Sequence, residues 1–267
     1  MEITIYSLCW NEEIILPYFF AHYRRRFPKA LFIIYDNMSD DTSREIIKNN
    51  GGEIIDFETN NSSREDLQMN IRNNCWKNAT SDWVIICDMD EFLDVDENYL
   101  KFTKNTILKG EGYEMVGDTY DLDQVKLGTR NDYLDKCIIF NKSFISEINY
   151  SYGCHDCFPE GHVKYNNERI ILKHNKYFKL EYVIKRFENL AIRLSFENLE
   201  NGWSLHYLQT KNEITNSYKF LYDNKRKVPL SSYYHFIELF LGKHKKISLF
   251  NTLLKKLIYL PKGVRRK

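Results

Sequence analysis

Trp83-Val84-Ile85-Ile86-Cys87-Asp88-Met89-Asp90-Glu91-Phe92-Leu93 is the stretch on which the fold turns. Residues 83–87 are apolar without alternation, which predicts a strand covered on both faces, as in the middle of a parallel sheet. In such sheets functional groups gather just beyond the carboxyl ends of the strands, and Asp88 stands there. Two carboxylates one residue apart suit a divalent cation with hard oxygen ligands, Mg²⁺ or Mn²⁺, with positions left for phosphate oxygens. A bare pair of this kind is more often a solvated acidic turn, so its neighbours decide the reading. An EF-hand is excluded, because the central Gly and the terminal bidentate Glu are missing at the required offsets.

Upstream, strands are expected at 2–8, 31–35 and 53–57, separated by helices at about 12–26, 41–49 and 64–79. Within the third helix Leu67, Ile71, Cys75 and Ala79 form one apolar stripe. This is a βαβ succession, and its strand ends carry polar clusters. The second strand runs into Asp36, followed by a turn in which Ser39 or Asp40 can cap the next helix. The first exits through Asn11, Glu12 and Glu13. The switch-point rule brings all three exits to one crevice, where Asp36 can accept hydrogen bonds from a nucleobase or ribose.

Downstream, strand-like pieces at 112–121, 133–140, 144–149, 162–165 and 169–174 are separated by Gly, Asn and Asp turns. Helical spacing follows through Leu180, Val183, Phe187, Leu190 and Leu194, with further helices expected at 213–224, 232–241 and 246–258. The simplest organisation is one domain over 1–238, with halves 1–95 and 96–238, and a basic tail over 239–267. Cys154 and Cys157 form a C-x-x-C, but no second pair supports zinc.

The chain has 267 residues, 43% of them hydrophobic, enough to bury a core and to exclude disorder. No apolar run reaches the ~20 residues of a membrane span. The N-terminus lacks the pattern of a signal peptide, and six scattered cysteines suit a reducing compartment, so a cytoplasmic location is expected. With 38 basic against 37 acidic residues there is no overall field to favour nucleic acid. The distribution is uneven: nine basic residues and no acid follow Glu238, leaving 29 basic against 37 acidic residues before it. Over 243–267 the apolar Phe250, Leu253, Leu254, Leu257 and Ile258 accompany these charges, a pattern that fits an anionic membrane surface.

The order of these motifs resembles the glycosyltransferase family 2-like enzymes of the GT-A fold: strand then Asn-Glu, strand then Asp-x-x-Ser-x-Asp, a helix with Arg72-Asn73, then Asp-x-Asp-Glu-Phe. The branch with Glu-Phe after the paired acids, near the family 92 type, is the nearest in feel. The resemblance implies an α/β fold with a mostly parallel central sheet flanked by helices and a helical C-terminal extension. It implies an inverting, metal-dependent transfer of a sugar from a nucleotide donor to a glycan or glycolipid acceptor, in cell-surface polysaccharide or glycan synthesis. Asn11, Glu12 and Asp36 would hold the nucleoside, while Arg72 and Asn73 would brace the surrounding loops. Asp88 would meet the ribose or the metal, and Asp90 would ligate Mn²⁺ or Mg²⁺. A Gly-x-His segment carries over to His155 and a strand-ending His to His174, the latter completing the metal shell. The base falls on Asp156, with His155 and Glu160 as rivals; the Glu-Asp pair that often marks it in family 2 is missing. His206 is a weaker ligand candidate. Two alternatives compete. Asp88-Met89-Asp90 and Gly117-Asp118-Thr119 also resemble a haloacid dehalogenase-like phosphohydrolase, and a catalytically silent sugar-nucleotide binding module would carry the same binding residues.

Overall fold

Four parallel strands form one side of the sheet, in the order β4-β1-β2-β3: β1 is Ile3–Cys9, β2 Leu31–Asp36, β3 Glu53–Asp56 and β4 Trp83–Ile86. The computed structural model describes residues 1–234. The connections are α1 (Leu16–Arg26), α2 (Ser43–Asn49) and α3 (Glu65–Asn74). Side chains alternate across the pleat, so Ile85 and Cys87 join the core beneath α1, while Val84 and Ile86 join a second core with Trp76 and Phe140. That two-sided burial is why the run of β4 is apolar throughout.

Beyond β4 the chain turns sharply, with the Glu91 amide donating to the Asp88 carbonyl, into β5 (Glu91–Leu93). Two buried residues of α1 hold this turn. The Tyr23 hydroxyl donates to the Glu91 carbonyl at 2.8 Å, and His22 Nε2 donates to the Leu93 carbonyl at 2.9 Å. After α4 (Glu97–Phe102) come β6 (Ile107–Val116), β7 (Leu127–Arg130) and β8 (Lys136–Asn141). β8 lies antiparallel between β4 and β6, extending the sheet. A separate hairpin joins β9 (Ile145–Glu147) to β10 (Glu160–Gly161). β11 (Ile171–Tyr177) pairs parallel with β6 and antiparallel with β5. The chain continues through α5 (Leu180–Ala191), α6 (Phe196–Glu200), α7 (Lys211–Asn224) and β12 (Arg226–Lys227), which pairs with β7.

The α/β expectation holds, with the parallel strands where the sequence places them. The differences are local. The stripe through Cys75 and Ala79 outlasts its helix, which ends at Asn74, because those residues pack from a turn. The strand expected at 112–121 lies at Ile107–Val116, and the piece at 162–165 contributes an isolated bridge at Tyr165. β5, β7, α4 and α6 are too short for periodicity to announce them. The helix expected over 246–258 and the tail over 239–267 lie outside the described residues. No helix among the described residues is long and apolar enough to cross a membrane.

Candidate functional site

A cleft of about 470 Å³ opens beyond β1 and β4 and is walled by β6, β11, α5 and the loops around Tyr133, Tyr152 and Ser204. Glu12, Arg72, Asp88, Asp90, His155 and His174, all singled out from the sequence, line it.

At its centre three strands converge. Antiparallel pairing sets His174 of β11 opposite Glu91 of β5, beside Asp90, and parallel pairing sets it beside Glu114 of β6. His174 Nε2 lies 3.2 Å from Asp90 Oδ2, and Nδ1 lies 2.8 Å from Glu114 Oε1. A carboxylate only accepts, so Nδ1 carries a proton directed at Glu114. Burial alone would lower the imidazole pKa, but Asp90 and Glu114 outweigh it and raise it to about 9. The Asp90 backbone is fixed as well, its carbonyl receiving the Asn175 amide at 2.7 Å.

Asp88 is engaged differently. Arg72 Nη2 donates to its Oδ1 at 2.7 Å, and Lys136 Nζ lies 3.4 Å from its Oδ2. Burial would raise this carboxyl pKa, yet Arg72 and Lys136 prevail and hold it well below the carboxylate range. Glu91 explains the Asp-x-Asp-Glu pattern: buried, it accepts the Asp88 amide at 3.0 Å and pairs with Lys136 Nζ at 2.6 Å. Arg72 Nη1, also buried, lies 3.9 Å from Glu65 Oε2 and has no hydrogen-bond partner among the described residues. Asn73 clamps the Tyr150 backbone through two hydrogen bonds, a brace for the loop that follows.

Near the exit of β1, Glu12 pairs with Arg186 of α5, whose other nitrogen donates to the Trp10 carbonyl at 2.9 Å. Burial raises the Glu12 pKa to about 7 against the opposing pull of Arg186. Arg193 lies 3.6 Å over the Trp10 ring and donates to Asn37 Oδ1 and, at 3.0 Å, to the Asn61 carbonyl.

Asp36 corrects the sequence reading. Its fully buried carboxylate accepts from the Ser39 amide at 3.0 Å, from Ser39 Oγ at 2.6 Å and from Arg44 Nη1 at 2.5 Å, so it shapes the turn. The next residue, Asn37, lines the cleft instead. Asn11 is also outside the lining: with φ of 52°, it binds Asp40 and Asp41 through its side chain and pins one strand exit to the other.

Around His155, Tyr133 stacks on the imidazole at 4.0 Å between centroids, and the Tyr133 carbonyl accepts from Nδ1 at 2.8 Å. Burial, with help from Lys136, lowers the His155 pKa to about 4, so this ring is neutral. Gly153 is required here, since its φ of 64° is left-handed and a Cβ would stand 2.8 Å from the His155 ring. Asp156, the expected base, is exposed and outside the lining; its backbone closes a turn on Ser151. Glu160 is exposed on the hairpin. The carboxylate that does reach this part of the cleft is Glu65, on the first turn of α3, which accepts from Ser204 Oγ at 2.9 Å and whose pKa burial raises. His206 lines the cleft beside Lys176.

The phosphohydrolase alternative loses its second motif, because Asp118 pairs with Lys179 and lies outside the cleft. Cys154 and Cys157 are free thiols, and no cluster of three metal-ligating side chains occurs among the described residues. The chemistry of the donor set still fits a divalent cation at Asp90 and His174. Glu114 orients the imidazole from behind, as an outer carboxylate does for a metal-bound histidine, and Mg²⁺ sites commonly take few protein ligands and complete themselves with phosphate and water. Asp88 is held by Arg72 and Lys136.

No family model matches the chain, and no curated protein does. Its architecture is that of a mixed α/β protein with a polar cleft at the carboxyl edge of parallel strands. Among solved structures it is similar to S. aureus TarS 1-349 in complex with UDP, at 14% identity and a TM-score of 0.41, over 72% of this chain and 65% of that one. It is also similar to the galactosyltransferase LgtC in complex with donor and acceptor sugar analogs, at 16% identity and a TM-score of 0.29, over 42% and 46% of the two chains. The matched region thus spans less than two thirds of the length of either.

Proposed function

We propose that the chain is a glycosyltransferase that takes a sugar from a nucleotide donor and passes it, with inversion, to a glycan or lipid-linked glycan. The observation that carries this reading is the Asp90–His174–Glu114 centre at the carboxyl edge of the parallel strands. Trp10, which lines the same cleft with the Arg193 guanidinium laid on its ring, offers a flat surface for a nucleoside. Tyr133, His155 and Tyr152 offer flat faces for an acceptor sugar. Asp90 and His174 would hold Mn²⁺ or Mg²⁺, which when bound neutralises charge on a departing diphosphate as a Lewis acid. Arg72, held between Asp88 and Glu65, would brace the loops around the donor. Glu65 takes the role first given to Asp156. Burial raises its pKa, the direction that favours a base for a hydroxyl. The Asp88–Phe92 motif supports the narrower assignment to the branch near the family 92 type. The basic tail would hold the enzyme at the inner face of a membrane that carries its acceptor.

The test is a thermal-shift series with UDP, GDP and dTDP, each with and without Mn²⁺. One nucleotide raises Tm only with the metal present, because a ligand bound to the folded state alone stabilises it by mass action. No shift with any of them overturns the reading. Hydrolysis of the matching nucleotide sugar then separates an enzyme from a binding module.

A further inference from the structure

Five lysine and arginine side chains line the cleft: Arg72, Lys136, Lys176, Arg186 and Arg193. Arg72 and Lys136 are paired with Asp88 and Glu91, and Arg186 with Glu12. Arg193 has no carboxylate partner among the described residues, but its donors go to the Asn61 carbonyl and Asn37, and its face covers Trp10. Lys176 differs from all four. Among the described residues it makes no ion pair, and its Nζ lies 3.5 Å from His206 Nε2, a nitrogen that can only accept from an ammonium.

The surroundings of Lys176 hold it in place: burial lowers its pKa, and Glu114 and Asp90 oppose that. Nζ stands 4.5 Å from the Phe187 ring centroid and 5.1 Å from that of Tyr207. Those faces, contributed by α5 and by the 3-10 turn Leu205–Leu208, attract a cation but accept no proton. Lys176 also follows His174 by two residues on β11, which aims both toward the cleft, while the intervening Asn175 is buried and clamps the Asp90 carbonyl. A cation pinned beside a two-ligand metal centre, attracted by Glu114 and Asp90 but in ion-pair contact with no carboxylate among the described residues, has hydrogens left for an anion from the substrate.

We propose that Lys176 anchors a phosphate of the donor's diphosphate, with Phe187, Tyr207 and His206 as its positioning residues. This rests on the nucleotide-sugar reading of the cleft and adds a residue to it.

Calorimetry on the full chain in Mn²⁺ buffer tests it, with UDP, GDP and dTDP and the matching nucleosides uridine, guanosine and thymidine. In Lys176→Met, affinity for the nucleoside diphosphate that wild type binds falls ~10- to 100-fold, the value of a charge-assisted hydrogen bond. Affinity for its nucleoside is unchanged. Lys176→Arg, which keeps the charge, recovers part of the loss, and Lys176→Gln replaces the Met variant if that one does not fold. Wild-type diphosphate affinity in Lys176→Met overturns the anchor and leaves the nucleotide-sugar reading intact. Equal losses for nucleoside and diphosphate overturn it too, since they mark a structural role. Failure of wild type to bind any of the diphosphates overturns the nucleotide-sugar reading, and the anchor falls with it.

Discussion

In the parallel half of the sheet the polar residues follow the strand ends: Asn11 and Glu12 after β1, Asn37 after β2, Asp88 and Asp90 after β4. In the other half they sit within or at the start of strands and along a helix: Glu114 on β6, Lys136 opening β8, His174 and Lys176 on β11, Arg186 on α5. The cleft takes most of its acids from the first half and its cations largely from the second. The first half presents its groups by local chain geometry. The second presents them only through register, because His174 meets Asp90 and Glu114 by virtue of two different strand pairings. Each variant below removes a group from one half and asks what the other half does without it.

The largest effect is expected from Asp90→Ala. It takes the acid from the centre and leaves His174 and Glu114 paired, so turnover should fall ~10³-fold or more with Tm nearly unchanged. Wild-type turnover in that variant breaks the metal assignment. Glu65→Gln should keep nucleotide affinity while transfer falls ~10²- to 10⁴-fold, the range of a lost general base. Asp156→Asn, on the exposed loop, should transfer at the wild-type rate. The opposite result for the pair would return the base to Asp156.

Asp88→Asn should differ from Asp90→Ala in kind. It leaves Arg72 and Lys136, buried cations from opposite halves, with one counter-charge fewer, and stability should fall by about 2 kcal/mol in urea titration. A variant as stable as wild type means that Asp88 is not the strut the geometry makes it.

What the sequence made legible follows the same division. The parallel strands and the crevice were readable because an unbroken apolar run and an acidic turn are local signals. Asp36 turns into its own loop, which spacing could not show, since it does not say whether a carboxylate points into its turn or away from it. Lys136 and Glu114 carried no signal beyond a charge inside a strand, because burial of a charge depends on a partner far along the chain. Arg186 did carry one. It falls on the apolar stripe of α5, three residues after Val183 and four before Leu190, and a charge on a buried stripe requires a partner, which is Glu12.

The smallest effect is the most diagnostic of how the two halves are joined behind the cleft. His22 on α1 is buried, with Nε2 donating to the Leu93 carbonyl and Nδ1 accepting from Arg26 Nη1 at 3.1 Å. Both nitrogens are used in the neutral form, and burial, reinforced by Arg26, pushes the pKa well below that of a free histidine. The unfolded chain therefore binds a proton near pH 6.5 that the folded chain refuses, so this contribution to stability is complete above pH 6.5 and is lost as pH falls below it. In urea titrations from pH 7 to 5, wild type should lose up to about 1.4 kcal/mol per pH unit through this group. His22→Gln, which has no titrating proton, should show a correspondingly flatter profile. Equal slopes in the two proteins would mean that His22 charges freely in the folded state, and that the turn carrying Asp88 and Asp90 is not held from α1 by a neutral imidazole.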